Sequence, residues 1–280
     1  MAAVVMDGKA LAAKVKERVR CQAETLNRKP GLAVVLVGDN PASRVYVNGK
    51  KKDCGECGIY SEEYALPEET TQEQLLELIG ALNDREDMDG ILVQLPLPKH
   101  LNEKEVLLAI RPDKDVDCFH PFNVGQLMIG EEGFQPCTPA GVMELLKEYG
   151  IDPTGKHCVI VGRSNIVGKP QAMLMVQKNA TVTICHTKTR DLKEECLRAD
   201  ILVAAAGRVG LITGDMVKED AVVVDVAMNR NDQGKLCGDV AYDQVADKAS
   251  YITPVPGGVG PMTRAMLMEN TLYAARKHGK

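Results

Sequence analysis

Aromatic residues are scarce: the 280 residues include no tryptophan, three phenylalanines and seven tyrosines. A core without large rings must be built from Val, Ile, Leu, Ala and Met, which suits helices packed over a buried parallel sheet. An excess of positive charge is also missing. Lys plus Arg number 34 against 39 Asp plus Glu, a formal net charge of -5. Wholesale binding of nucleic acid or acidic lipid needs a basic surface, so those classes are excluded, although a small basic corner is not. No apolar run approaches the ~20 residues of a membrane helix. The run Met1 to Met6 is cut short by Asp7 and Lys9, so no secretory leader is expected. The nine cysteines are odd in number and irregularly spaced. They make no disulfide framework, and free thiols in the cytoplasm are the expectation. What is present is the balance of a soluble globular chain, 45% hydrophobic and 26% charged, long enough for two ordinary domains.

Strand-like and helix-like segments alternate. Helical periodicity covers Gly8 to Arg28, and Leu32 to Val37 is a short β-branched run. Asp39 or Asn40 then reads as an N-cap with Pro41 at the first helical position, opening a helix to about Cys57. Tyr60 to Ala65 suits a strand, and Thr71 to Asn83 suits a helix with a capping box at Thr71. Gly90 to Leu95 is another strand, ended by Pro96 and Pro98. Residues 112 to 138 break the rhythm and read as a long functional loop. A helix at 140–149 follows, then strands at 157–161, 181–185, 201–204 and 221–226, and a closing helix from Met262 to Lys277. This βα grammar predicts an α/β fold with mostly parallel sheets.

Gly162 and Gly168 frame a strand-to-helix turn, Val161-Gly-Arg-Ser-Asn-Ile-Val-Gly168. Glycines there let a backbone approach a phosphate, and the following helix offers free N–H groups and its positive end. The pattern is not G-x-G-x-x-G, and a purely structural turn is the alternative. The next strand ends in Cys185-His-Thr187-Lys188-Thr-Arg190, where an NAD site normally places a carboxylate. Cations and hydroxyls in its place, with Arg163 nearby, suit the 2′-phosphate of NADP. A solvated loop explains Lys188 and Arg190 equally well.

Tyr46 and Lys50 lie four apart on the second helix, on one face and about 6 Å apart along the axis. A phenol and an amine so placed suit acid–base work; a plain amphipathic surface is the alternative. Gln94 ends a strand, where carboxyl ends line the crevice of α/β sheets. Asp113-Lys-Asp115-Val-Asp117-Cys118 fails as a calcium loop, because its sixth position is Cys118 and its twelfth Val124. Cys54 and Cys57 lack a second pair at zinc spacing, so no metal is expected. Pro254 to Thr263, with three prolines and three glycines, reads as a loop that lies close to a ligand or turns the chain between domains.

Together, Ser43-x-x-Tyr46-x-x-x-Lys50, Gln94-Leu-Pro-Leu-Pro98, Asp113-Lys-Asp-Val-Asp117, Pro136-Cys-Thr-Pro139, Gly162-Arg-Ser-x-Ile-Val-Gly168 and Pro256-Gly-Gly-Val-Gly-Pro-Met-Thr263 closely resemble the bifunctional methylenetetrahydrofolate dehydrogenase/methenyltetrahydrofolate cyclohydrolase family. The resemblance spans nearly the whole chain. It implies an N-terminal βα catalytic domain (1–138 plus 262–280) and a Rossmann-like NADP-binding domain (139–261), with folate and NADP meeting in a cleft, and a homodimer in the cytoplasm. It implies tetrahydrofolate one-carbon derivatives as substrates, and supply of one-carbon units to purine biosynthesis. It casts Lys50 as the acid–base residue, with Tyr46 over the pterin, Gln94 tuning Lys50 and Asp117 anchoring the pterin ring. Ser43, Val93, Leu95, Pro256, Gly257, Gly258, Val259 and Gly260 would contact substrate. Gly162, Arg163, Ser164, Ile166, Val167, Gly168, Thr187 and Met228 would hold the cofactor.

The chain departs from the family pattern at several positions. Cys118 replaces the usual Gly, Thr187 the commoner Ser, Ala227 and Met228 the common Gly and Ile, and Ala205 to Val209 is atypical. Other readings of the same residues are an NAD-preferring or monofunctional member, a shikimate-type dehydrogenase, and a non-catalytic dinucleotide or folate sensor, which would have no need for Lys50.

Overall fold

The computed structural model describes residues 2–279. In chain order, the elements of the first half are β1 (Val4–Val5), α1 (Gly8–Ala23), β2 (Gly31–Val37), α2 (Pro41–Glu56), β3 (Tyr60–Leu66), α3 (Gln72–Asp84), β4 (Gly90–Val93), α4 (Glu103–Ala109) and α5 (Pro121–Ile129). Then come α6 (Cys137–Glu148), β5 (His157–Val161), α7 (Gly168–Gln177), β6 (Thr181–Cys185), α8 (Leu192–Leu197), β7 (Ile201–Ala204), β8 (Val222–Asp225), β9 (Asn229–Arg230), β10 (Leu236–Cys237), α9 (Tyr242–Val245), β11 (Tyr251–Ile252) and α10 (Val259–His278). The chain divides into two compact units. One holds Met1–Ala12 and Thr138–Thr263; the other holds Ala13–Cys137 and Arg264–Lys280.

The unit containing Ala13–Cys137 is built on a three-stranded parallel sheet in the order β3-β2-β4. All seven residues of the central strand β2 are buried. That is why its sequence shows no polar alternation. Ala33, Val35 and Val37 pack with Ile91 and Val93, against Leu75, Ile79 and Leu82 of α3 and Val106 of α4. The capping box expected at Thr71 is present: its side chain accepts from Gln74 N, and the Gln74 side chain accepts from Thr71 N at 3.0 Å. At α2 the choice between Asp39 and Asn40 falls to Asn40, whose Oδ1 accepts from Ser43 N at 3.2 Å.

The expected long loop at 112–138 is not structureless. It carries α5, with His120 as N-cap, Pro121 at its start and Gly130 in the left-handed conformation at its end (φ 81°). Its nine residues are too few, and too mixed in polarity, for periodicity to reveal them; the caps were the legible signal.

The unit containing Thr138–Thr263 has a six-stranded sheet in the order β1-β11-β8-β7-β5-β6, and every pairing is parallel. Its central strands β7 and β8 are wholly buried. The grouping differs from the expected division at the N-terminus. Residues up to Ala12 belong here because β1 pairs with β11, an edge contact between two-residue strands that local sequence cannot announce.

Candidate active site

In the unit containing Ala13–Cys137, three elements bring chemistry together. Helix α2 carries Tyr46 and Lys50, the carboxyl end of β4 carries Gln94, and the segment before α5 carries Asp117. Gln94 N donates to Val35 O at 2.8 Å, which continues the sheet ladder one residue past β4 and fixes where the side chain starts. Lys50 Nζ donates to Gln94 Oε1 at 3.0 Å, and Gln94 Nε2 donates to Leu95 O at 2.7 Å. Both ends of the amide are therefore committed, and its oxygen faces the amine. Burial pushes the Asp117 carboxyl above its ordinary value, while the nearby Lys50 charge pulls it back down. Burial likewise raises the Tyr46 phenol, and the Arg264 guanidinium opposes that rise. Tyr46 is 38% exposed, so its ring is open to a ligand. Ser43 and Val93 are buried.

The Asp117 segment is held from several sides. Asp115, buried, accepts from Phe119 N (3.1 Å), His120 N (2.8 Å) and Asn123 Nδ2 (2.8 Å). Asn270 of α10 donates to Val116 O (2.7 Å) and Gln135 O (2.8 Å). Cys137 Sγ lies 3.8 Å from Asp117 Oδ1, and burial raises its thiol well above the ordinary range. Cys118 has φ 60°. It takes the left-handed conformation as glycine would, and its buried thiol donates to Phe134 O at 3.2 Å. Asp115 and Asn270 were not among the sequence candidates. A buried Asn on a closing helix carries no local signal of what it will bind.

In the unit containing Thr138–Thr263, the second site is made mainly of backbone. Gly162 has φ 140°, and a Cβ there would overlap the Ala205 carbonyl. A Cβ on Gly168 would overlap the Gly162 carbonyl. Between them, Ser164 Oγ accepts from Val167 N (3.2 Å) and Gly168 N (3.3 Å), so it caps α7 from inside the turn. Arg163 and Ile166 are exposed on this turn. At the end of β6, Thr187 is exposed within a turn closed by His186 N donating to Thr189 Oγ1 at 2.9 Å. Among the described residues, no carboxylate pairs with Arg163, Lys188 or Arg190. The glycine cradle, the α7 N-terminus and this cation set fit a dinucleotide carrying an extra phosphate.

The floor of that site depends on two buried acids that sequence reading did not single out as functional. Asp239 accepts from Ala206 N (2.6 Å), Gly207 N (3.0 Å), Arg208 N (2.6 Å) and Asn229 Nδ2 (2.9 Å), which gathers the atypical 205–209 loop. Asp225 accepts from Ala227, Asp239 and Val240 N–H groups. Burial lifts its carboxyl to about 6. Met228 Sδ approaches Gly260. The Pro256–Gly260 turn thus lies in the same unit as the cofactor candidates, with Gly257 at φ 109° and the Val255–Pro256 bond cis.

A cavity of about 460 Å³ lies elsewhere on the unit containing Lys50, lined by Thr25 to Arg28, Glu132 and the end of α10. It includes none of the sequence-derived site residues. Among the described residues, no group of three or more His, Cys, Asp or Glu is placed to hold a metal, and no helix is long and apolar enough to cross a membrane.

Two family models match the chain. Residues 6–117 match the tetrahydrofolate dehydrogenase/cyclohydrolase catalytic domain, and residues 136–279 match the tetrahydrofolate dehydrogenase/cyclohydrolase NAD(P)-binding domain. A bifunctional protein FolD from Acetivibrio thermocellus is 60% identical, covering 100% of this chain and 99% of its own length. A crystal structure of the bifunctional FolD dehydrogenase/cyclohydrolase from Campylobacter jejuni is 54% identical, with a TM-score of 0.97 and 99% of each chain covered. The Trypanosoma brucei dehydrogenase-cyclohydrolase, in complex with NADP cofactor and an inhibitor, is 39% identical with a TM-score of 0.94. That match covers 99% of this chain and 98% of its own.

Proposed function

The chain belongs to the tetrahydrofolate dehydrogenase/cyclohydrolase family, and on that premise we propose how its residues do the work. The protein is a bifunctional enzyme. It oxidises 5,10-methylenetetrahydrofolate to 5,10-methenyltetrahydrofolate with NADP, then hydrolyses the product to 10-formyltetrahydrofolate. The observation that carries our assignment of roles is the Lys50 Nζ to Gln94 Oε1 bond beside the Asp117 carboxyl.

NADP, when bound, accepts the hydride. Gly162, Arg163, Ser164, Ile166, Val167, Gly168, Thr187 and Met228 hold it. The glycines admit its phosphates to the backbone, and Arg163 meets the 2′-phosphate. The oxidised folate is a cationic amidinium. Asp117 binds the pterin ring through its N–H groups, and Tyr46 lies against the ring system. Ser43, Val93, Leu95 and the Pro256, Gly257, Gly258, Val259 and Gly260 turn shape the substrate's surroundings.

In hydrolysis, water must lose a proton as it attacks the amidinium carbon, and the departing nitrogen must gain one. Lys50 as the amine takes the first proton and, as the ammonium, returns it. Gln94 Oε1 accepts one Lys50 N–H in either state, so the amine lone pair is aimed away from the amide and towards the water. Gln94 thus orients Lys50, and we place Tyr46 beside it on the same face of α2. We further assign the unit with Lys50 to folate and the other to the cofactor, and we place the enzyme as a cytoplasmic homodimer supplying one-carbon units for purine synthesis.

Lys50→Met tests the assignment. Cyclohydrolase turnover should fall by about 10²- to 10⁴-fold, the range of a lost general acid–base group, with NADP binding intact. Unchanged cyclohydrolase turnover would remove Lys50 from the mechanism.

A further inference from the structure

Asp53 lies three residues past Lys50 on α2, and its side chain is only 3% exposed. Two cations from distant parts of the sequence meet it. Lys16 Nζ reaches Oδ1 at 2.9 Å, and Arg264 Nε reaches Oδ2 at 3.2 Å. Lys16 is also engaged by Glu56, and Arg264 is anchored at its Nε. The Arg264–Asp53 contact is an ion pair rather than a hydrogen bond, because buried Asp53 Oδ2 has no hydrogen-bond partner among the described residues. Asp53 therefore takes none of the five guanidinium N–H donors.

The far end of Arg264 falls on Gly49, the residue before Lys50. The three atoms nearest to where a Gly49 Cβ would stand all belong to the Arg264 side chain, Nη1 first. Glycine inside a helix is destabilising relative to alanine. Here its missing Cβ is the space the guanidinium fills. The same charge is felt by Tyr46, one turn back on α2. Arg264 therefore lies on the Tyr46–Lys50 face of the helix, with its side chain 34% exposed.

We infer that Arg264 is a specificity-determining residue, which binds a carboxylate on the glutamyl tail of the folate substrate. This rests on the folate reading above. A tetrahydrofolate reacts at its pterin end and carries its carboxylates at the opposite end, beyond the p-aminobenzoyl spacer. Lys50, Gln94 and Asp117 serve the reacting end. Arg264 is a planar guanidinium, ion-paired with Asp53 on the same helix face, and a guanidinium matches a carboxylate in two-point fashion better than a lysine would.

The test compares KM and kcat of the NADP-bound enzyme for 5,10-methylenetetrahydrofolate and for the analogue lacking glutamate, 5,10-methylenetetrahydropteroate. Arg264→Gln should raise KM for the glutamylated substrate about tenfold, the loss of one charge-assisted bond. The rise should be absent with the pteroate substrate, and kcat for the glutamylated one should hold. Gly49→Ala, whose new methyl displaces the guanidinium without removing its charge, should give a smaller rise with the same substrate selectivity. An equal KM rise for both substrates, or none for either, would overturn the inference and leave Arg264 a support for α2. Wild-type enzyme that turns over neither substrate would instead overturn the folate reading itself.

Discussion

The two units make their sites from different materials. Around Lys50 the working groups are side chains, and their spacing comes from one helix, one strand end and one segment pinned by Asn270. Around Gly162 the working groups are backbone, and the side chains that matter most, Asp225 and Asp239, face inward to hold loops. A side-chain site tolerates backbone adjustments but loses function with one truncation. A backbone site tolerates exposed substitutions but not an added Cβ at a close approach.

Gly162→Ala should therefore produce the largest loss of stability. The methyl would overlap the Ala205 carbonyl, at a φ of 140° that favours glycine. A cost above about 4 kcal/mol is expected, at the upper end for single substitutions, read by urea denaturation together with loss of NADP binding. A variant with native stability and NADP affinity would break the comparison.

Asp225 gives the next largest effect, through pH. Its carboxyl sits at about 6 in the folded protein against an ordinary 3.8. The folded state therefore holds this proton more tightly than the unfolded state. Its contribution is favourable below pH 3.8 and is lost as pH rises through about 6, a swing of about 3 kcal/mol at most. Relative to Asp225→Asn, wild-type stability should fall between about pH 4 and 6. Parallel stability curves would show that the acid does not carry the shift.

Asn270→Ala sharpens the other side. It leaves the Val116 and Gln135 carbonyls without their amide donor, at a cost of about 2 kcal/mol. It should also lower folate affinity, by loosening Asp117, more than NADP affinity; equal losses would count against that role. Cys118→Gly should change least. It relieves the left-handed backbone but gives up the thiol bond to Phe134 O, and the two offset to within about 1 kcal/mol. A larger loss on denaturation would mean that thiol packing, not backbone strain, governs the position.

Much of the first-named site was readable before any coordinates. Tyr46 and Lys50 share a face because a helix repeats every 3.6 residues, and Asn40-Pro41 marks where that helix starts. Gln94 was legible as a strand end because prolines follow it. Arg264 was not legible, since its partners Asp53 and Gly49 are more than two hundred residues away in sequence. The α5 helix within the expected loop and the pairing of β1 with β11 escaped for the complementary reason. They are short elements whose stability comes from neighbours rather than from their own pattern.

The family resemblance alone singled out Asp117; the patterns of the sequence itself determined the α/β alternation, the buried parallel strands, the glycine turn at 162–168, the shared helix face of Tyr46 and Lys50 and the strand-end position of Gln94. These follow from period, composition and backbone sterics, which act over a few residues. Tertiary structure alone decided that Gln94 turns its oxygen to Lys50, that Asn270 fixes the approach to Asp117, that Asp239 gathers the 205–209 loop, and that Arg264 occupies the space above Gly49. Each of those is a hydrogen bond or contact between groups far apart along the chain, and it exists only once loop-closure entropy has been overcome by burial of the cores that bring them together.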